Sequence, residues 1–175
     1  LGSASVVLGN RVTVGALVAA NAAGSVTVGR TPHFWAAPFE IGDEFGGLGL
    51  PSPMPAEAQD VLLKHQEAAP GGNTTIGIVA TDARLTKAMA KRLAIAAHDG
   101  FARAIWPVHT PVDGDLVFAL ATGENRAELT IEDSIVLHAA ATSVMARAIA
   151  RAVHAATPEP GDVFSTWSKR AAAFG

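Results

Sequence analysis

The chain has 175 residues, 49% hydrophobic and 17% charged, with a formal net charge of −3 and no cysteine. Length and apolar content fit one domain with a sizeable core. The charge balance gives no basis for binding nucleic acid or an anionic membrane, and disulfides and thiolate metal sites are excluded. With no uninterrupted run of about 18 apolar residues, no bilayer-spanning helix is expected.

The sequence begins at Leu1 inside what reads as a glycine-containing turn entering a strand, and is expected to be the C-terminal portion of a longer protein. Residues 5–8, a turn at Gly9-Asn10 and residues 12–20 read as a hairpin. The second strand is apolar on both faces, which predicts a central strand covered by other layers. It ends at Asn21, followed by Ala22, Ala23 and Gly24. A carboxamide there either closes the strand or donates to a developing oxyanion, an interaction worth about 2.7–4 kcal/mol.

Residues 31–72 carry six of the ten prolines, Pro32, Pro38, Pro51, Pro53, Pro55 and Pro70. Apart from residues 56–69, which read as a short helix, this is a long excursion, and such a loop in a compact domain is usually functional or mobile. Phe34, Trp35 and Phe39 either line a pocket or an oligomer contact, or pin the loop to the core. Next comes Gly71-Gly72-Asn73-Thr74-Thr75, running into the apolar residues 76–80. Gly-Gly-Asn makes an ordinary turn before a buried strand. It also suits self-cleavage between Asn73 and Thr74, because a threonine hydroxyl can attack the preceding carbonyl when the turn is strained. The freed α-amine, with a pKa of roughly 7.7–8.0 against about 10.4 for lysine, then serves as base for its own hydroxyl.

Thr86 is a plausible N-cap for a helix with a stripe of Leu85, Met89, Leu93, Ala97 and Phe101, ending near Gly100 or running on to Ile105. His98 beside that stripe reads as a helix-end or interhelical hydrogen-bonding residue. Asp113-Gly114-Asp115 opens the strand 116–121 and has three readings: a turn, a cation site, or a holder of a charged amine. Nothing nearby completes the roughly six oxygens a hard cation wants. His109, between Pro107 and Pro111, suits a structural or supporting role, since an N-terminal nucleophile needs no imidazole. The histidines at 33, 65, 138 and 154 share no metal-ligand spacing. Thr130 to Asp133 resembles a capping box, opening a helix with a stripe of Ile135, Ala139, Thr142, Ala146, Ile149 and Val153 that stops before Pro158. Residues 162–167 read as a tail without chemistry.

Taken together, residues 74–83, 91–100 with His98-Asp99-Gly100, 109–115 and 118–123 resemble, in order, the self-processing DmpA/BapA-type aminopeptidases and the related NylC-type nylon-oligomer hydrolases. The resemblance covers residues 1–125. It implies an α/β fold, an αββα sandwich of the DmpA/ornithine acetyltransferase type of which this chain is the C-terminal half. Residues 1–73 would end the α-chain and 74–175 form the β-chain, both within one domain. It further implies Thr74 as nucleophile, Asn21 as oxyanion donor, and Asp113 and Asp115 positioning the Thr74 amine and hydroxyl. Serine-type members carry Ser and Glu at that acidic pair, so this sequence leans to the threonine branch. No cofactor or metal is implied. The expected partners are a small peptide or amide substrate, the upstream remainder of the α-chain and further copies in a homo-oligomer, a tetramer of processed protomers; the expected location is cytoplasmic. The rivals are an ornithine-acetyltransferase-like acyl transferase and a non-catalytic protein that keeps the fold.

Overall fold

The computed structural model describes residues 1–64 and 73–174. Its first two strands, β1 (Gly2–Val7) and β2 (Thr13–Ala19), form the expected antiparallel hairpin. The turn closes through Leu8 N–H to Val12 O (2.8 Å) and Arg11 N–H to Leu8 O (2.9 Å). Asn10 Oδ1 accepts the Val12 N–H at 3.1 Å. β3 (Ile76–Ala83) pairs antiparallel with β2, and β4 (Leu116–Asn125) runs parallel to β3, so the sheet order is β1-β2-β3-β4. Parallel neighbours need a crossover connection, here α1 (Lys87–Ala104), whose N-cap is Thr86, accepting the Met89 N–H at 3.3 Å.

The second long helix, α2 (Ile131–His154), starts with a complete capping box. Thr130 Oγ1 accepts the Asp133 N–H and Asp133 Oδ2 accepts the Thr130 N–H, both at 3.0 Å. Asn10 Nδ2 donates to the other oxygen of Asp133 at 2.8 Å, fastening the hairpin turn to the start of α2. α1 lies over β3 and β4, and α2 over β1 and β2. The core between sheet and helices is built from Val14, Val18, Val79, Leu93, Phe101, Val144, Met145 and Ile149.

Two glycines set how closely α2 can approach. A Cβ on Gly2 would lie 2.1 Å from Ala148 O, and one on Gly100 would lie 2.5 Å from Thr142 O. Backbone meets backbone at both places, which only glycine allows. Of the expected helix stripe, Ala146 and Ile149 are fully buried, but its N-terminal end is not. Ile135 is 63% exposed and Ala139 is exposed, while Leu137, Ala141, Val144, Met145 and Ala148 face inward. The apolar content of α2 is too evenly spread for periodicity to fix its rotation, and the Gly2 and Gly100 contacts fix it instead. Among the described residues, α2 is the one helix long and apolar enough, at a mean hydropathy of 1.2, to cross a bilayer, and half of that stretch is buried in the fold.

The excursion between β2 and β3 differs from expectation. Residues 56–59 form only a 3-10 turn, Ala56–Gln59, ended by Asp60 in extended conformation. Lys64 N–H is drawn to Ala23 O at 2.8 Å, an interaction incompatible with a continuing helix. The rest of that predicted helix, residues 65–69, lies outside the described residues. Phe34 pins the loop to the core: 2% exposed, it packs edge-on against Phe45 at 5.4 Å and stacks on Trp167 at 5.6 Å. Trp167 opens a short helix, α3 (Trp167–Ala171), and donates from Nε1 to Pro32 O at 2.9 Å, so the presumed tail is anchored on this loop.

A buried ion cluster joins the loop to α2. Glu44 receives Arg147 Nε and Nη2 (2.5 and 2.9 Å) and Arg151 Nη1 (3.1 Å), while Arg147 Nη1 donates to Ser5 O at 3.1 Å. Arg147 is 5% exposed, and its hydrogen bonds hold the Glu44 carboxyl below its usual pKa against the opposing effect of burial.

β2 is central in the sheet, but the described residues cover only one of its faces. On the other face Val7, Leu17, Ile76, Ile78, Leu116, Phe118 and Leu120 are exposed. An apolar sheet face must pack on another layer, and an αββα sandwich places a second sheet there.

Candidate active site

β2 runs antiparallel to β3, and β4 parallel to it. The end of β2, the approach to β3 and the approach to β4 therefore meet at one edge of the sheet. That edge holds Asn21, Asn73-Thr74-Thr75 and Asp113-Gly114-Asp115. The register that pairs Ile76 with Leu116 also pairs Asn73 with Asp113.

Thr74 lies between these segments. Its N–H donates to Asn21 O at 3.0 Å, and its hydroxyl lies 2.8 Å from Asn73 O. That carbonyl also accepts the Gly114 N–H at 2.9 Å. The neighbouring threonine is placed differently. Thr75 is fully buried, with its hydroxyl accepting the Asn21 N–H at 3.2 Å. Of the two hydroxyls, that of Thr74 is the one set beside a peptide carbonyl at the surface of the site.

Each acidic residue bridges two segments. Asp113 Oδ1 accepts the Ala23 N–H at 2.9 Å, and its Oδ2 accepts the Thr110 N–H (3.1 Å) and hydroxyl (2.6 Å). Asp115, with a side chain 2% exposed, accepts the Thr75 N–H through Oδ1 at 2.9 Å and meets His109 Nδ1 through Oδ2 at 3.0 Å. Among the described residues, neither carboxylate bonds the Thr74 hydroxyl. They grip the backbone on either side of Thr74.

Two contributors carry no sequence signal. Lys64 Nζ donates to Asn21 Oδ1 and lies 5.6 Å from the Phe164 ring. An ammonium can only donate, so it fixes which end of the Asn21 amide is the acceptor. Burial lowers the Lys64 pKa, and the charge of Asp113 acts against that. Lys64 belongs to no motif, and only the fold brings it to Asn21. The second contributor is the backbone N–H of Gly114, invisible to any reading of side chains. A cleft of about 730 Å³ opens beside Asn21 and Lys64, walled further by Leu62, Phe164 and Trp167.

Behind Asp115, His109 stacks on Phe101 at 5.7 Å and meets the edge of His98 at 5.1 Å. His109 thus supports Asp115, and His98 supports His109. The pKa of His98 is lowered, first by burial and then by the charge of His109, with Asp115 and Asp99 acting in the opposite direction. The unfolded chain therefore binds this proton more readily than the folded one. Stability should be complete above about pH 6.5, the ordinary histidine value, and fall as the pH drops through it. Thermal unfolding at pH 7.5 and 5.5 measures this. The acid-side loss should shrink in His98→Gln, and an unchanged loss would assign it to other groups.

Residues 1–164 match a family model described as peptidase family S58. An uncharacterized aminopeptidase of Mycobacterium tuberculosis is 44% identical over 177 residues, which span 92% of this chain and 49% of that protein. The 6-aminohexanoate-oligomer endohydrolase of Paenarthrobacter ureafaciens is 33% identical over 90 residues, 46% of this chain and 25% of that protein. The chain thus spans about half the length of its mycobacterial relatives. In structure it resembles the L-aminopeptidase D-Ala-esterase/amidase of Ochrobactrum anthropi, described as a variant of the Ntn-hydrolase fold. The TM-score is 0.60 at 24% identity, covering 92% of this chain and 41% of that one. That likeness is one of fold, and it agrees with the expected α/β class: one sheet and one helical layer of a DmpA-type sandwich. With the match running from Leu1 through α2 and the mycobacterial relative at 44% identity, the chain belongs to peptidase family S58.

Proposed function

We propose that this protein is a self-cleaving N-terminal-threonine hydrolase of amide bonds, cut between Asn73 and Thr74. The observation that carries the reading is the Thr74 hydroxyl 2.8 Å from the carbonyl oxygen of the bond to be cut. Attack by Oγ1 and departure of the Thr74 nitrogen give an ester, and water releases it. The new α-amine keeps its bond to Asn21 O and can take the proton from Oγ1 in the next reaction, so nucleophile and base share one residue. An external amide is then attacked, the acyl group passes to Thr74 and water removes it. The Asn21 side chain, oriented by Lys64, donates to the oxyanion of this external substrate. Asp113 and Asp115 hold the three segments in register around Thr74.

Peptides and short amide oligomers are the substrate class, a choice supported by the aminopeptidase and oligomer-hydrolase names of the relatives. The sheet face that carries Ile78 and Phe118 receives the second layer of the sandwich, and processed protomers assemble as an oligomer.

Intact mass of the full-length protein under denaturing conditions tests this. Two species dividing between Asn73 and Thr74 are expected. A single species, stable on long incubation, would overturn the self-cleavage. Acetyl transfer to an amino-acid acceptor, in place of hydrolysis, would favour the acyltransferase alternative.

A further inference from the structure

We propose that the backbone N–H of Gly114 is the oxyanion donor of the self-cleavage step, and that Asp113 and Asp115 fix the strand so that this N–H stays aimed at the Asn73 carbonyl. The inference rests on the self-cleavage reading above and assigns a group to it.

When Thr74 Oγ1 attacks, the Asn73 carbonyl oxygen takes up negative charge as the Oγ1–C bond forms. The C–N bond then breaks, and the hydroxyl proton ends on the Thr74 nitrogen. Water hydrolyses the ester, leaving a carboxylate on Asn73 and a free hydroxyl on Thr74. Gly114 supplies a hydrogen bond throughout and gives up no proton. Its N–H is already 2.9 Å from the oxygen that becomes charged, and such donors act at 2.7–3.1 Å from the position the oxyanion takes up. Asn73 is 6% exposed, so water competes little for that oxygen.

The residues around Gly114 explain why the donor stays in place. Asp113 is tied to Ala23 and Thr110, and Asp115 to Thr75 and His109. The peptide between two such anchors has little freedom to turn. The choice of glycine has a separate cause. Gly114 is not among the residues with positive φ, so no special backbone angle requires it. A Cβ there would lie 2.7 Å from Thr74 Oγ1. Glycine leaves the space the nucleophile occupies, and the Asp-Gly-Asp segment becomes a clamp with the reacting contact at its middle.

The test replaces a single backbone N–H by oxygen in the full-length precursor, with glycolic acid in place of Gly114. The matched control puts the hydroxy-acid analogue of leucine at position 116, whose N–H donates to Thr75 O at 3.1 Å in the same ladder. The ester at 114 should slow cutting on the order of 10²-fold, and the ester at 116 far less. Equal rates in the two would overturn the assignment while leaving self-cleavage standing; an unmodified precursor that never cuts would overturn both. Should the 114 ester not fold, infrared spectra of an uncleavable Thr74→Ala precursor with a ¹³C-labelled Asn73 carbonyl decide. A stretch lowered as in a hydrogen-bonded amide supports the contact, and one at the frequency of a free carbonyl overturns it.

Discussion

Replacing Thr74 by alanine should leave a full-length chain and reduce amide hydrolysis by at least about 10⁴-fold, since loss of a nucleophile removes nearly all covalent catalysis. Both effects follow from one atom. Oγ1 is the group beside the Asn73 carbonyl, and the amine that would later serve as base exists only after that bond is cut. Thr74→Ser keeps the hydroxyl and should keep both reactions. Thr75 is the internal control. Its hydroxyl accepts the Asn21 N–H, so Thr75→Val should cost stability, about 0.5–1.5 kcal/mol for the one hydrogen bond removed, and still permit cutting. Intact mass and initial rates on a peptide amide measure these outcomes. Normal hydrolysis by Thr74→Ala would sink the mechanism, and loss of cutting in a folded Thr75→Val with normal cutting in Thr74→Ala would move the nucleophile to Thr75.

The largest effect on stability is expected at Glu44. Removing its carboxylate leaves the Arg147 guanidinium buried with, among the described residues, only Ser5 O as acceptor, and breaking a buried pair in this way costs about 3–5 kcal/mol. Arg151 also reaches Glu44, but its side chain is 42% exposed. An exposed pair contributes about 0–1 kcal/mol, so Arg151→Ala should be mild. Replacing both members of the buried pair, Glu44→Leu with Arg147→Met, should recover much of the loss, because no charge is then stranded. Urea unfolding of the variants orders them. A Glu44→Ala variant within about 1 kcal/mol of the parent, the exposed-pair range, would show that Arg147 finds water or another acceptor.

The sequence signals that matched the fold are local ones. Thr86 and Thr130 announce their helices because a cap acts within one turn, and the Gly9-Asn10 turn marks the hairpin because its geometry is set by adjacent residues. Thr74, Asn21, Asp113 and Asp115 could be singled out as residue types, and the sheet register brings them to one edge. Their neighbours could not be read in the same way. Glu44 and Arg147 meet across 103 positions, and Lys64 reaches Asn21 from a loop without periodicity. The Gly114 donor is a backbone group, which sequence does not distinguish from any other. The inward face of α2 is only partly legible, with Ala146 and Ile149 buried as expected but Ile135 and Ala139 exposed, because its alanines pack on every side.

The proposed cut would fall inside the sheet, after β2 and before β3. β1 and β2 precede Asn73, whereas β3 and β4 follow it, and six residue pairs from Val14↔Thr81 to Ala19↔Ile76 join β2 to β3. Hydrolysis after Asn73 would therefore divide the chain along a hydrogen-bonded ladder, and the two pieces would remain one folded body. What changes is the molecularity of folding. An uncut chain folds at a rate independent of concentration, whereas a cut one, once unfolded, would have to find its other piece by diffusion. The proposed processing would thus make loss of structure far harder to reverse in dilute solution, and the lifetime of the cut form would be set by how slowly the β2–β3 seam opens.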